Sequence, residues 1–319
     1  MHTLVYDDIT TAADRVAGHV RPVALAGPTE PGGVHLALEL MQHTGSFKAR
    51  GAQNFLLAHR EAGTLPDAGI TIASGGNAGL ACAWAAARQG VPATVFLPTT
   101  APRVKVARLR AYGADVRLVG TEYAEALAAC EEFARTTGAL ASHAYDHPLI
   151  AAGAGTLLDE IRRQVPGLDT VVVAVGGGGL FAGVATAARH HGIRTVAVEP
   201  ENCRALDAAL RAGRPVDVTV DSVAADSLGA RRVSATAVHA ARQDGVRSLL
   251  VPDAAIVRAR QALWDDRRLA VEHAAATALA AVAGNEPDVP GAGYRPEPGE
   301  TVCVVLCGAN TDPTDLVAP

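Results

Sequence analysis

Over most of this chain, short apolar runs alternate with stretches whose apolar residues recur every three to four positions, the pattern of strands alternating with helices. Asp8 to His19 reads as an opening helix, with Thr10 or Thr11 as its cap and Arg21-Pro22 as its end. Val34 to Leu38 reads as a short strand. Ala52, Phe55, Leu56 and His59 then recur at helical spacing, which predicts a helix preceded by a turn at Thr44-Gly45 and N-capped by Ser46. Next come strands at Ile70 to Ala73, Ala93 to Leu97, Val116 to Val119 and Ala139 to Ser142. Helices at Ala78 to Gln89, Arg103 to Tyr112 and Tyr123 to Thr136 lie between them. A second run has helices at Gly153 to Gln164, Leu180 to His191, Ala254 to Asp265 and Glu272 to Ala283. Its strands fall at Thr170 to Val175, Thr195 to Glu199, Ser248 to Val251 and Thr301 to Leu306.

Such alternation implies βαβ units and an α/β fold of two lobes, each an open, mostly parallel sheet flanked by helices. Residues 69–146 are expected to form a small α/β domain inserted into a larger one made of 1–68 and 147–319. A cleft between two such lobes is the expected ligand site.

Composition narrows the classes. With 319 residues and 49% hydrophobic content, the chain can bury one large or two ordinary cores. A net charge of −5 without a Lys/Arg cluster argues against nucleic acid and anionic membranes as partners. Five scattered cysteines do not make a disulfide framework, the N-terminus lacks the marks of a signal peptide, and no run approaches the ~20 apolar residues of a membrane helix. A cytoplasmic protein is expected. Of the remaining features, His190-His191 reads as a helix C-terminus, Trp84 and Trp264 as core, and Asn285 to Gly299 as a loop.

Chemistry enters at three Gly-rich or lysine-bearing segments. Gly176-Gly177-Gly178-Gly179 runs from a buried strand directly into a helix, where bare N–H groups make an anion cradle suited to a phosphate monoester. The competing dinucleotide fingerprint has support from Gly176, Gly178 and a later acid, Glu199, but Phe181 stands where its third glycine would be. A second strand-to-helix turn, Ser74-Gly75-Gly76-Asn77-Ala78, offers N–H groups and Ser74 to a carboxylate and the Asn77 amide to a hydroxyl; taken alone, Asn77 reads better as a helix cap. Lys48 falls in the first turn of its helix beside Phe47. There the dipole and burial both disfavour an ammonium and leave a nucleophile for aldehydes. Cys303 and Cys307 share a strand at a spacing too wide for a metal pair and read as buried thiols.

TGSFKARGA around Lys48 closely resembles the Schiff-base segment of the fold-type II pyridoxal-phosphate enzymes, the tryptophan synthase β-like fold, in their serine/threonine dehydratase branch. SGGNAG, VGGGGL and CVVLCGAN match the same family in order, from about Leu36 to Asp312. The resemblance implies pyridoxal 5′-phosphate on Lys48, its phosphate in the tetraglycine loop, its ring 3-oxygen at Asn77, and its pyridine nitrogen against the neutral Cys307. The substrate carboxylate would sit at Ser74 to Ala78. The implied reaction is dehydration and deamination of L-threonine or L-serine, Lys48 taking the Cα proton, in a homodimer.

Departures from the family pattern bear on substrate and cation. Ala205 stands where relatives similar to serine racemase place a cation-binding aspartate six residues after the glutamate. This leaves at most a monovalent cation near Glu199 and implies no divalent metal. Glu272-His273 replaces a usual Glu-Pro, and Gly308-Ala309-Asn310 a usual Gly-Gly-Asn. Gly75 stands where those racemases carry a proton-donating serine. Rival readings are elimination from hydroxyaspartate or phenylserine, racemisation, β-replacement, or a non-enzymatic nucleotide-binding module.

Overall fold

The computed structural model describes residues 3–30, 33–283 and 293–317. Two sheets organise them. The larger has the order β1 (Leu25–Ala26), β2 (His35–Ala37), β10 (Val302–Val305), β7 (Thr170–Ala174), β8 (Arg194–Pro200) and β9 (Val246–Val251). Apart from the antiparallel β1–β2 pair, its strands run parallel. The smaller is entirely parallel, in the order β5 (Asp115–Leu118), β4 (Ala93–Leu97), β3 (Ile70–Ala73), β6 (Leu140–Ala141). Strands covered on both faces have no polar side to show, and every residue of β3, β4, β7 and β10 is buried.

Helices α1 (Tyr6–Val16), α2 (Lys48–Glu61), α3 (Asn77–Arg88), α4 (Arg103–Ala111), α5 (Tyr123–Thr137), α6 (Pro148–Gln164) and α7 (Gly179–His190) follow in chain order. After them come α8 (Ala205–Ala212), α9 (Ala225–Leu228), α10 (Ala235–Ala241), α11 (Asp253–Arg267) and α12 (His273–Ala283). Small residues let α6 and α7 touch backbone to backbone: a Cβ on Gly183 would lie 2.1 Å from the Ala151 carbonyl oxygen and 2.6 Å from the Gly155 nitrogen.

A buried ion cluster ties α2 to this layer. The Arg50 guanidinium, fully buried, donates to both carboxylate oxygens of Glu39 at 2.8 and 2.9 Å and to both of Glu160 at 2.7 and 2.9 Å. A buried charge is tolerable only with such forked pairing. It fixes the start of α2, and so Lys48, against α6.

Several expectations need correction. The first helix starts at Tyr6, and the Thr10 and Thr11 hydroxyls donate to the Asp7 carbonyl inside it, while the Asp8 carboxylate accepts the Val5 N–H. Ser46 is extended and does not cap α2, whose N-cap is Phe47; the Ser46 hydroxyl is buried without a hydrogen-bond partner among the described residues. His190 stacks on Tyr6 with ring centroids 3.7 Å apart, and His191 pairs with Asp159 at 2.8 Å, so this histidine pair anchors α1 in addition to ending a helix. Trp84 is buried, but Trp264 is only partly so, with Arg268 over its ring. Of the loop expected at Asn285 to Gly299, residues 285–292 lie outside the described residues. No helix among the described residues is long and apolar enough to cross a membrane.

Candidate active site

Lys48 is brought to Cys307 by strand-like pairing between segments from opposite ends of the sequence. Before α2 the chain makes a tight turn at His43–Gly45, with Thr44 and Gly45 both at positive φ, 64° and 76°. It then extends, and Ser46 forms an antiparallel bridge with Gly308. The Phe47 N–H donates to the Cys307 carbonyl at 3.0 Å, and the Ala309 N–H to the Gly45 carbonyl at 2.9 Å. Lys48 therefore starts its helix beside the end of β10. Its Nζ donates to the Ala144 carbonyl at 2.8 Å and lies 4.8 Å from the Phe47 ring centroid.

Burial lowers the Lys48 amine to about 8, against a partial upward pull from Cys307 and Glu272. The same low-dielectric setting pushes the Cys307 thiol well above the usual range, with Glu272 adding to it, so Cys307 is a neutral thiol.

The tetraglycine loop ends β7 and starts α7, with Gly178 as N-cap at φ 93°. A Cβ on Gly177 would fall 2.3 Å from the Tyr145 ring and one on Gly178 2.3 Å from the Ala237 Cβ, so only glycine fits at either place. The N–H groups from Gly177 to Leu180 donate to no protein acceptor among the described residues. Buried donors left open at a helix N-terminus suit a phosphate. Thus the loop fits the phosphate of pyridoxal phosphate.

The second turn ends β3 and starts α3. The Ser74 hydroxyl accepts the Gly76 N–H at 3.4 Å, while the N–H groups of Gly75, Asn77 and Ala78 have no protein acceptor among the described residues. Gly75, Gly76 and Asn77 line a small cavity of about 30 Å³ together with Lys105, Arg108, Asp226, Glu272 and Asn310. A larger cavity of about 450 Å³, lined by Arg21, His43, Trp84, Arg108 and Tyr112, involves none of the expected site residues.

Glu272 and Asn310 stood in the sequence only as parts of departures from a family pattern, with no role assigned to either side chain. The Asn77 Nδ2 donates to both carboxylate oxygens of Glu272, at 3.0 and 2.9 Å, and the Asn77 Oδ1 accepts from Asn310 Nδ2 at 2.6 Å. Burial raises the Glu272 carboxyl, although the Asn77 amide, the Asn310 N–H and Lys48 favour its charged form. The available signal was a lone acid at the head of an otherwise apolar Ala-rich helix. Glu199 has a different role from the one considered for it. Its two oxygens accept the N–H groups of Leu206 and Asp207 at 2.7 and 2.9 Å and so cap the start of α8, and burial raises it to about 8. The described residues hold no group of three or more His, Cys, Asp or Glu able to bind a metal ion.

Comparison with known proteins agrees with this geometry. The sequence model of the family described as "Pyridoxal-phosphate dependent enzyme" matches residues 21–308. An L-threonine ammonia-lyase of Geobacter sulfurreducens is 36% identical over 97% of this chain and 76% of its own length. A serine dehydratase-like protein of Rattus norvegicus is 38% identical over 87% of this chain and 85% of its own length. Among solved structures, maize serine racemase superposes with a TM-score of 0.87 at 28% identity, covering 99% of this chain and 96% of that one.

Proposed function

The chain belongs to the pyridoxal-phosphate dependent enzymes, and from that premise we propose that it dehydrates and deaminates L-threonine or L-serine, giving 2-oxobutyrate or pyruvate and ammonia. The observation that carries this reading is the buried Lys48 amine, lowered to about 8, on a segment paired through the Phe47 N–H to the backbone carbonyl of Cys307, whose thiol is held neutral.

When bound, pyridoxal phosphate supplies an aldehyde for amines and a ring that draws electrons from the substrate Cα. The chain's own residues do the rest. Gly176 to Gly179 hold the phosphate with bare N–H groups. Ser74, Gly75, Gly76, Asn77 and Ala78 hold the substrate carboxylate at the head of α3, where the helix dipole favours it. Phe47 packs beside the Lys48 amine. Lys48, whose buried ammonium gives up its proton far more readily than that of an exposed lysine, takes the Cα proton at Nζ in its uncharged form. Cys307, which stays a thiol, would face the ring nitrogen as a neutral partner, a setting suited to prompt β-elimination.

In this reading, residues 1–68 and 147–319 form a larger domain around the six-stranded sheet and residues 69–146 a smaller one. The enzyme works as a cytoplasmic homodimer, and its five buried, unpaired cysteines suit a reducing compartment. The test is the purified protein itself. A yellow chromophore bleached by borohydride, with 2-oxo acid released from L-threonine or L-serine, supports the reading. A colourless protein that binds no pyridoxal phosphate defeats it, and a yellow one inactive on both amino acids removes the substrate assignment alone.

A further inference from the structure

Four polar side chains, contributed alternately by the two sheets and their helices, form one hydrogen-bonded chain at the cleft. Arg108 on α4 donates Nη2 to Asn310 Oδ1 at 2.5 Å. Asn310, after β10, donates Nδ2 to Asn77 Oδ1 at 2.6 Å and to the Thr44 carbonyl at 2.7 Å. Asn77, at the start of α3, donates Nδ2 to both oxygens of Glu272.

The direction of these bonds is forced. A guanidinium only donates and a backbone carbonyl only accepts, so Arg108 and Thr44 leave Asn310 one orientation of its amide. That orientation presents a donor to Asn77, which must answer with its Oδ1 and turn its NH₂ the other way. Two near-equal distances from one nitrogen to both Glu272 oxygens describe a forked bond that a single N–H can make, leaving the second proton for another oxygen. An asparagine amide free to turn over would offer that oxygen a carbonyl half of the time.

We propose that Asn310 is a positioning residue for Asn77: held by the Thr44 carbonyl and the Arg108 guanidinium, it keeps the Asn77 NH₂ toward the site, where it donates to the ring oxygen of pyridoxal phosphate. The proposal rests on the assignment of Asn77 as a cofactor contact. Lysine segment, cofactor amide and Glu272 are thereby set by one residue.

The test measures pyridoxal-phosphate affinity of the cofactor-stripped protein and the pH titration of the bound chromophore, beside thermal unfolding. Asn310→Asp keeps the size but replaces the donor by an acceptor, and should weaken cofactor binding about tenfold and displace the titration with little change in melting temperature. Arg108→Met leaves Thr44 to hold Asn310 and should weaken binding about threefold, while Arg108→Lys, still a donor, should restore it. Asn77→Ala separates the two claims. If Asn77→Ala changes affinity and spectrum but Asn310→Asp does not, the positioning role is overturned; if Asn77→Ala changes neither, the cofactor contact itself falls and the proposal with it. Should Asn310→Asp not fold, the Arg108 pair decides, and equal affinity in Arg108→Met and the wild type overturns the proposal.

Discussion

The amine of Lys48 donates to the carbonyl oxygen of Ala144, 2.8 Å away across 96 residues of sequence. One residue on, the Tyr145 ring packs over Gly177. A single short segment therefore aims the lysine and also closes on the tetraglycine loop. A neutral amine that gives one N–H to a carbonyl keeps its lone pair for an incoming carbon or proton.

Replacing Lys48 by alanine should abolish the borohydride-sensitive chromophore and lower turnover by about 10³-fold or more. The chain's other lysine, Lys105, pairs with Asp226 at 2.6 Å and cannot stand in. Absorbance and a 2-oxo acid assay on Lys48→Ala check this. A reducible chromophore with near-normal rates would remove Lys48 from the chemistry.

The stability of the cofactor-free protein should depend on pH through the same residue. Burial lowers the folded amine to about 8 from the 10.5 of an exposed lysine, so between these values the unfolded chain carries a proton that the folded one lacks. Unfolding then takes up a proton, and stability rises with pH through that window. Lys48→Met should accordingly be more stable than the wild type by about 3 kcal/mol below pH 8, an advantage that disappears above 10.5. Urea unfolding at both ends of the range measures it, and a difference independent of pH would contradict it.

Cys307→Ser should be tolerated, within about threefold of wild-type elimination, because the hydroxyl is again a neutral partner. Cys307→Asp should lower elimination at least about tenfold by favouring a protonated ring nitrogen. Equal rates in the wild type and the aspartate variant would take Cys307 out of this position.

The enzyme should eliminate without racemising, since Gly75 offers no proton on the face opposite Lys48. A Cβ at Gly75 would lie 2.9 Å from Leu97 Cδ2, the free end of a side chain, so Gly75→Ser should fold at a cost of about 1 kcal/mol. Chiral chromatography of an L-serine incubation should find D-serine only at background for the wild type and clearly above it for Gly75→Ser. Comparable D-serine and pyruvate from the wild type would refute the argument.

What the sequence disclosed divides by the range of the interaction. Strands β3 and β4 were legible to the residue, because a short apolar run bounded by Gly69 and Ser74, or by Pro92 and Pro98, is a local signal. The two-residue β1 and the short helices α8 and α10 were not, being set by what they pack on. Ser46 misled because its N-cap character is local, whereas the bridge to Gly308 that extends it comes from the far end of the chain. The role of Glu272 stayed hidden for the same reason: the residue stood out as a departure from the family pattern, but its partner Asn77 is 195 residues away.

The placement of β10 also orders the life of the chain during synthesis. This strand lies at the centre of the larger sheet, pairing Cys303 with His35 on one side and Val171 on the other. The four-stranded sheet is complete by Ala141 and has no such wait. A nascent chain can thus finish its smaller sheet while the larger still has a gap between β2 and β7, with two strand edges exposed until β10 emerges. Closure of that gap brings Cys307 against the Lys48 segment, so the cofactor site assembles in the same event that buries the last open edges.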